Sequence, residues 1–126
     1  MKIFITGVAG FLGSHLAERM LNIGHEVLGN DNLIGGDIEN VNKKIKFFKT
    51  DCNDLEGMVK ITKNCDVVYH CAATAHEGLS VFSPHIITNN IFQASVSVIT
   101  AAVKNNVKRF VYCSSMARYG GQKPPF

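Results

Sequence analysis

Short apolar runs alternate along this chain with segments whose apolar residues recur at helical spacing. Residues 2–6 (KIFIT) are nearly continuous in apolar character and stop at Gly7, which predicts a strand buried on both faces. Residues 11–23 predict a helix. Leu12, Leu16, Met20 and Ile23 share one face, His15, Glu18 and Arg19 lie largely opposite, and Gly24 is placed to cap the C-terminus. Residues 26–29 predict strand two, ending at Asn30-Asp31-Asn32. The polar, glycine-containing stretch 32–42 reads as a loop with one short helix, 45–49 as strand three, and 54–63 as a helix with Asp54 at its N-cap. Residues 66–71 predict strand four, after which a loop rich in Ala, His and Gly runs to Pro84. The longest helix spans 85–105, and strand five, 108–113, leads into Ser114-Ser115. Strands separated by helices imply βαβ units, and therefore an α/β fold on a doubly wound parallel sheet.

Composition narrows the function classes without choosing one. With 126 residues, 46% apolar and 18% charged, the chain holds about one domain and can build a core. The net charge is +3, and the longest basic runs are Lys43-Lys44 and Lys108-Arg109, which argues against a nucleic-acid partner. Four cysteines, at 52, 65, 71 and 113, show no C-x-x-C and no zinc spacing, which fits a reducing, cytoplasmic setting. Cys71 and Cys113 sit in apolar runs and read as small buried hydrophobes. Lys2 and the apolar residues after it imitate a signal peptide, but Gly7, Gly10 and Gly13 interrupt the stretch and no cleavage pattern follows. No apolar run approaches the roughly 20 residues of a membrane span, so no membrane partner is expected.

The chemistry starts at Thr6-Gly7-Val8-Ala9-Gly10-Phe11-Leu12-Gly13, three glycines at G-x-x-G-x-x-G between a strand and a helix. The first permits a tight turn, the second lets backbone approach a pyrophosphate, and the third allows close helix–strand contact. The helix N-terminus adds free N–H groups and partial positive charge. Asp31 ends strand two, where a carboxylate accepts hydrogen bonds from an adenosine ribose and repels a 2′-phosphate. Lys43 and Lys44 stand too far along the chain to neutralise such a phosphate locally, so NAD is favoured over NADP.

With Asp31-Asn32-Leu33, Asp51, His70-Cys71-Ala72-Ala73, and Ser114-Ser115 with Tyr119-Gly120, the T-G-x-x-G-x-x-G turn makes five motifs in order. Together they resemble the extended short-chain dehydrogenase/reductase superfamily, in its NAD-dependent nucleotide-sugar epimerase/dehydratase family. The resemblance implies a Rossmann-like sheet of strand order 3-2-1-4-5 and assigns roles by position. Gly7, Gly10, Phe11 and Leu12 would line the pyrophosphate, Asp31 and Asn32 the adenosine ribose, and Asp51 and Cys52 the adenine. The family usually has an aliphatic residue where Cys52 stands. Cys71, Ala72 and Ala73 would pass beneath the nicotinamide ribose. Asn90 matches the family asparagine on the long helix, although Gln93-Ala94 replaces the usual Gly-Thr, and a solvated helix residue is the other reading. Ser115 matches the catalytic Ser/Thr that orients the reacting sugar hydroxyl beside a tyrosinate.

Met116-Ala117 replaces the Asp-Glu pair of sugar dehydratases and supplies no group to move a proton, so epimerase-like oxidation and reduction are expected. Arg118 meets a substrate phosphate or faces solvent, and His76 and Glu77 are either solvated or placed for acid/base work. His15 and Glu18 belong to the outer face of the first helix. Tyr119 and Lys123 match the family's Y-x-x-x-K as a string, but Gly120-Gly121 and Pro124-Pro125 oppose the helix that motif needs. The resemblance places the true tyrosine further on. It implies that residues 1–126 are an NAD-binding Rossmann portion, truncated before the sixth strand, with the substrate domain absent. Strand five would then be an unpaired apolar edge. The resemblance also implies a nucleotide-sugar substrate and a homodimer for the complete protein, and little or no turnover by this chain alone. The alternative is a non-catalytic dinucleotide-sensing or protein-binding module on the same fold.

Overall fold

β1 (Lys2–Thr6) stands at the centre of a five-stranded sheet with β2 (Glu26–Asp31), β3 (Lys46–Lys49), β4 (Val67–His70) and β5 (Arg109–Tyr112). The order is β3-β2-β1-β4-β5 and every pairing is parallel, as the Rossmann-like reading expects. The coordinates are a computed structural model that describes residues 1–123 and 125. Pro124, on which part of the argument against a helix at 119–123 fell, and Phe126 lie outside the described residues, as do the side chains of Glu77 and Met116.

The alternation of β1 sorts the core into two layers. Ile3 and Ile5 pack with Val27, Val67 and Ala17 on the side of α1 (Phe11–Asn22). Phe4 packs with Leu28, Val68 and Met58 on the other side, beneath α2 (Leu55–Ile61) and α5 (Ala94–Lys104), which also pack on each other. Period 2 sends successive side chains to opposite faces, so a continuous apolar run belongs at the centre of a sheet covered by helices on both sides.

Several boundaries differ from the sequence expectation. On α1 the buried residues are Gly13 and Ala17, while Leu12 and Ile23 are about half exposed. Small residues let the helix come close to the sheet, which turns the bulkier side chains to its flanks. β2 runs on to Asp31, and the short helix expected between 32 and 42 is a 3-10 turn at Ile38–Asn40. Asp54 caps α2 by accepting from the Gly57 N–H at 3.0 Å. The expected loop after β4 contains a helix, α3 (Glu77–Phe82), whose composition hid Leu79 and Phe82 at helical spacing.

The long helix is three pieces in succession: α4 (Pro84–Ile87), a π-helical turn at Thr88–Gln93, and α5. By length and composition the stretch Pro84–Lys104, 21 residues, is long and apolar enough to cross a membrane, contrary to the sequence expectation that no segment is. Its flank at Ala94, Val98, Ala101 and Ala102 is buried in the core layer under α2, as the core helix of a packed domain requires. Cys113 is exposed rather than a buried filler, because β5 pairs only with β4 among the described residues.

Candidate functional site

All the βα turns leave the sheet at the C-terminal ends of the strands, and β1 is where the connections diverge to either side. A cleft of about 470 Å³ opens there, within the size range of small-molecule sites. The twelve residues expected at the cofactor all line it: Gly7, Gly10, Phe11, Leu12, Asp31, Asn32, Asp51, Cys52, Cys71, Ala72, Ala73 and Asn90.

One wall is the glycine turn. Gly7 has φ +67°, a left-handed conformation, and a Cβ on it would fall 2.8 Å from the Ala72 Cα. A Cβ on Gly13 would fall 2.0 Å from the Gly7 carbonyl oxygen. The turn is therefore closed backbone against backbone, and only glycine fits either position. No side chain caps α1 at Gly10, so the first-turn N–H groups, which have no partner within a helix, are presented at the cleft. Phe11 and Leu12 stand exposed at its mouth, with the Phe11 ring 4.8 Å from that of His15 on the outer helix face.

A second wall is built from carboxylates and amides at the ends of β2 and β3. Asp31 is only 8% exposed and accepts from the Ala9 N–H (3.1 Å) and the Leu33 N–H (2.8 Å). The second bond holds Leu33 at φ +64°, unusual for a bulky residue and supported here by an Asx turn. Gly36 folds back over this carboxylate, and a Cβ there would meet Asp31 Oδ2 at 2.9 Å. The Asn32 amide donates to Asp51 at 2.9 Å, and Asp51 also accepts from the Asn53 backbone and side chain at 2.8 and 3.0 Å. Burial pushes the Asp51 carboxyl upward, but these hydrogen bonds outweigh it and hold the group below its ordinary value. Cys52 is buried, and chiefly for that reason its thiol is pushed up to about 11, so it stays neutral. Asn30 donates to the Thr50 carbonyl at 2.8 Å and leaves its buried Oδ1 with no hydrogen-bond partner.

The floor begins at His70, which is 2% exposed and joins three elements. Ser95 Oγ donates to the Ile91 carbonyl at 2.6 Å, so it accepts from His70 Nε2–H at 3.0 Å. That tautomer leaves Nδ1 as the acceptor for the Thr6 hydroxyl at 2.8 Å, and Thr6 in turn accepts from the Ala72 N–H at 3.1 Å. Each proton in this buried relay has one assignment, and the ring is neutral; burial pushes its pKa down to about 4. The relay ties β1 to the Cys71-Ala72-Ala73 floor and to the π turn that carries Asn90. The Asn90 amide donates to the Thr74 hydroxyl at 3.1 Å, at the cleft rather than in bulk solvent. His76 lines the same cleft, at the residue preceding α3.

Ser115 lies outside this cleft. It precedes a 3-10 turn, Met116–Tyr119, where its hydroxyl oxygen accepts from the Ala117 N–H at 3.1 Å. Arg118 donates to Ser114 at 3.5 Å. Tyr119 ends that turn, Gly120 follows at φ +62°, and no helix carries Tyr119 and Lys123 on one face. Sequence reading missed Gly36, the parts played by Asn30 and Asn53, and the Thr6–His70–Ser95 relay. Only the Gly35-Gly36 pair, close after Asp31, is a local signal for any of them.

Residues 3–126 match the family described as "NAD dependent epimerase/dehydratase family". A UDP-glucose 4-epimerase of Lactobacillus helveticus is 34% identical over 122 residues, which is 95% of this chain and 37% of that protein. The crystal structure of UDP-glucose 4-epimerase with UDP-glucose from Thermotoga maritima superposes with a TM-score of 0.94 at 32% identity. It is matched over 100% of this chain and 42% of its own. The UDP-glucose 4-epimerase of Thermus thermophilus in complex with NAD gives a TM-score of 0.87 at 34% identity, over 91% of this chain and 38% of its own. The chain spans between 18% and 41% of the length of the curated relatives it matches.

Proposed function

The chain belongs to the NAD-dependent epimerase/dehydratase family, and on that premise we propose that it is the cofactor-binding portion of a nucleotide-sugar epimerase. The carrying observation is the convergence of the glycine turn, Asp31 and the 71–73 floor on one cleft at the strand switch point. The fit to a dinucleotide is physical. Gly7 and Gly13 leave no room for a side chain, α1 presents uncapped N–H groups, and Asn30 keeps an unpartnered buried acceptor in the wall.

In this reading the first turn of α1 holds the pyrophosphate through Gly10, Phe11 and Leu12, with Gly7 admitting it closely. Asp31, oriented by Ala9 and Leu33, accepts the adenosine ribose hydroxyls, and Asn32 supports that edge. Asp51 and the neutral Cys52 border the adenine. Cys71, Ala72 and Ala73 form a low floor for the second ribose, and Asn90 reaches it from the π turn. Bound NAD supplies a hydride acceptor for the sugar carbon and then a hydride donor. Ser115 orients the reacting hydroxyl, and a tyrosine outside these 126 residues serves as base. Ala117 offers no proton-transfer group where a dehydratase needs one, which supports oxidation and reduction over elimination. The substrate is a nucleotide sugar bound largely by a separate domain, and residues 1–126 alone bind NAD without turnover. Relatives named as UDP-glucose 4-epimerases favour this over a non-catalytic sensing module.

Calorimetric titration of the chain with NAD and with NADP tests the reading. NAD is expected to bind at least about tenfold tighter, a difference of about 1.4 kcal/mol, and Asp31→Asn should narrow that ratio. Tighter binding of NADP, or no binding of either nucleotide, overturns it.

A further inference from the structure

Beyond the cofactor and the sugar, two thiols meet where the cleft floor borders the edge strand. The β4–β5 register pairs His70 with Tyr112, so Cys71 and Cys113 follow as neighbours on adjacent strands. The Cys113 N–H donates to the His70 carbonyl at 3.3 Å, which carries the parallel alignment one step past the paired residues. Strands so paired lie about 4.8 Å apart, inside the Cα separation a disulfide spans. The Cys113 thiol already points at Cys71, with the sulfurs 3.7 Å apart. All four cysteines are free, but Cys52 and Cys65 are buried, whereas Cys71 is half-buried and Cys113 exposed.

We propose that Cys71 and Cys113 are a redox modification site that closes to a reversible disulfide on encounter with a low-molecular-weight disulfide. Cys113 gives up its proton to solvent and its sulfur attacks one sulfur of the oxidant, breaking the S–S bond and releasing one thiolate, which takes up a proton. Cys71 then loses its proton and displaces the second thiolate from the mixed disulfide. Two protein thiols are oxidised to one disulfide and the oxidant is reduced to two thiols, so two electrons pass outward. Cys113 is the sulfur that meets the oxidant. Cys71, pushed up to about 12 by burial and then by Cys113 beside it, is protonated in the reduced protein and must give up its proton to resolve the mixed disulfide. The bond ties the floor at 71–73 to the segment that leads to Ser115. It links residues 42 apart in sequence and thereby constrains the helices between them. Formation of the bond does not depend on the proposed cofactor or substrate.

The test is incubation of the chain with oxidised glutathione, followed by intact mass and non-reducing peptide mapping. The expected result is loss of two hydrogen masses, a linked peptide pair containing Cys71 and Cys113, reversal by dithiothreitol, and no such link in Cys113→Ser. An unchanged mass, a glutathione adduct that persists at Cys113, a covalent dimer, or a link through Cys52 or Cys65 overturns it.

Discussion

The turn after β1 and the segment after β5 leave the same end of the same sheet, one in the proposed cofactor cleft and one beside it. In the first, a Cβ added at Gly13 would lie 2.0 Å from the Gly7 oxygen; in the second, a Cβ at Gly121 would meet nothing within 4 Å. Gly7 touches the backbone of Ala72, 65 positions away in sequence, whereas the hydrogen bond of Ser115 reaches only Ala117. The first region is closed by long-range backbone contact, whereas the hydrogen bond at Ser115 belongs to a local turn. A binding surface held in the first way is preorganised before any ligand arrives, which lowers the entropy lost on binding.

The largest effect should come from forcing a side chain into the packed turn. Gly13→Ala is expected to lower the unfolding free energy by about 3 kcal/mol, since backbone rather than a flexible side chain meets the new Cβ. Gly121→Ala should change it by less than about 0.5 kcal/mol. Chemical denaturation of both variants decides; if Gly13→Ala costs no more than its counterpart, the contrast between the regions is broken.

His70 sharpens the comparison, because it carries the support of the packed turn across to the π turn. Its pKa is lowered in the fold, to about 4, below the ordinary histidine value of 6.5. The unfolded chain therefore binds the proton more readily between those values. Stability contributed by the neutral ring is full above about pH 6.5 and is lost as pH falls toward 4. About 2 kcal/mol should disappear between pH 7.5 and pH 5, and His70→Gln should flatten that part of the profile. Unfolding midpoints measured across the range report it directly.

The smallest effect belongs to Ser115→Ala. Its exposed hydroxyl holds one local N–H, so the unfolding free energy should move by less than about 0.5 kcal/mol. A larger loss in a denaturation series would mean that this segment is packed more firmly than the contrast allows.

The strands, and the residues that end them, were legible because each depends on a short pattern. The KIFIT run announces a strand buried on both sides, and the glycine triplet and Asp31 stand where a strand stops. Helix α3 was not legible because Ala, His and Gly around it read as loop. The α1 face was misjudged for a related reason: spacing ranks Leu12 and Ile23 as core, but Gly13 and Ala17 decide how near the helix comes. The exposed state of Cys113 also escaped the pattern, since an apolar strand at an edge and one at the centre look alike.

Sequence alone determined the alternation of strands and helices, the two faces of β1, and the positions of Gly7, Gly10, Gly13 and Asp31. All of these follow from backbone sterics and side-chain period within a few residues. The tertiary structure decided which distant groups meet. Thr6 and His70, 64 positions apart, share a proton relay with Ser95, and Cys71 faces Cys113, because β4 lies between β1 and β5. Strand order, which the motifs implied only through their resemblance to a family, arises from covering both faces of the sheet at once, a balance over the whole chain.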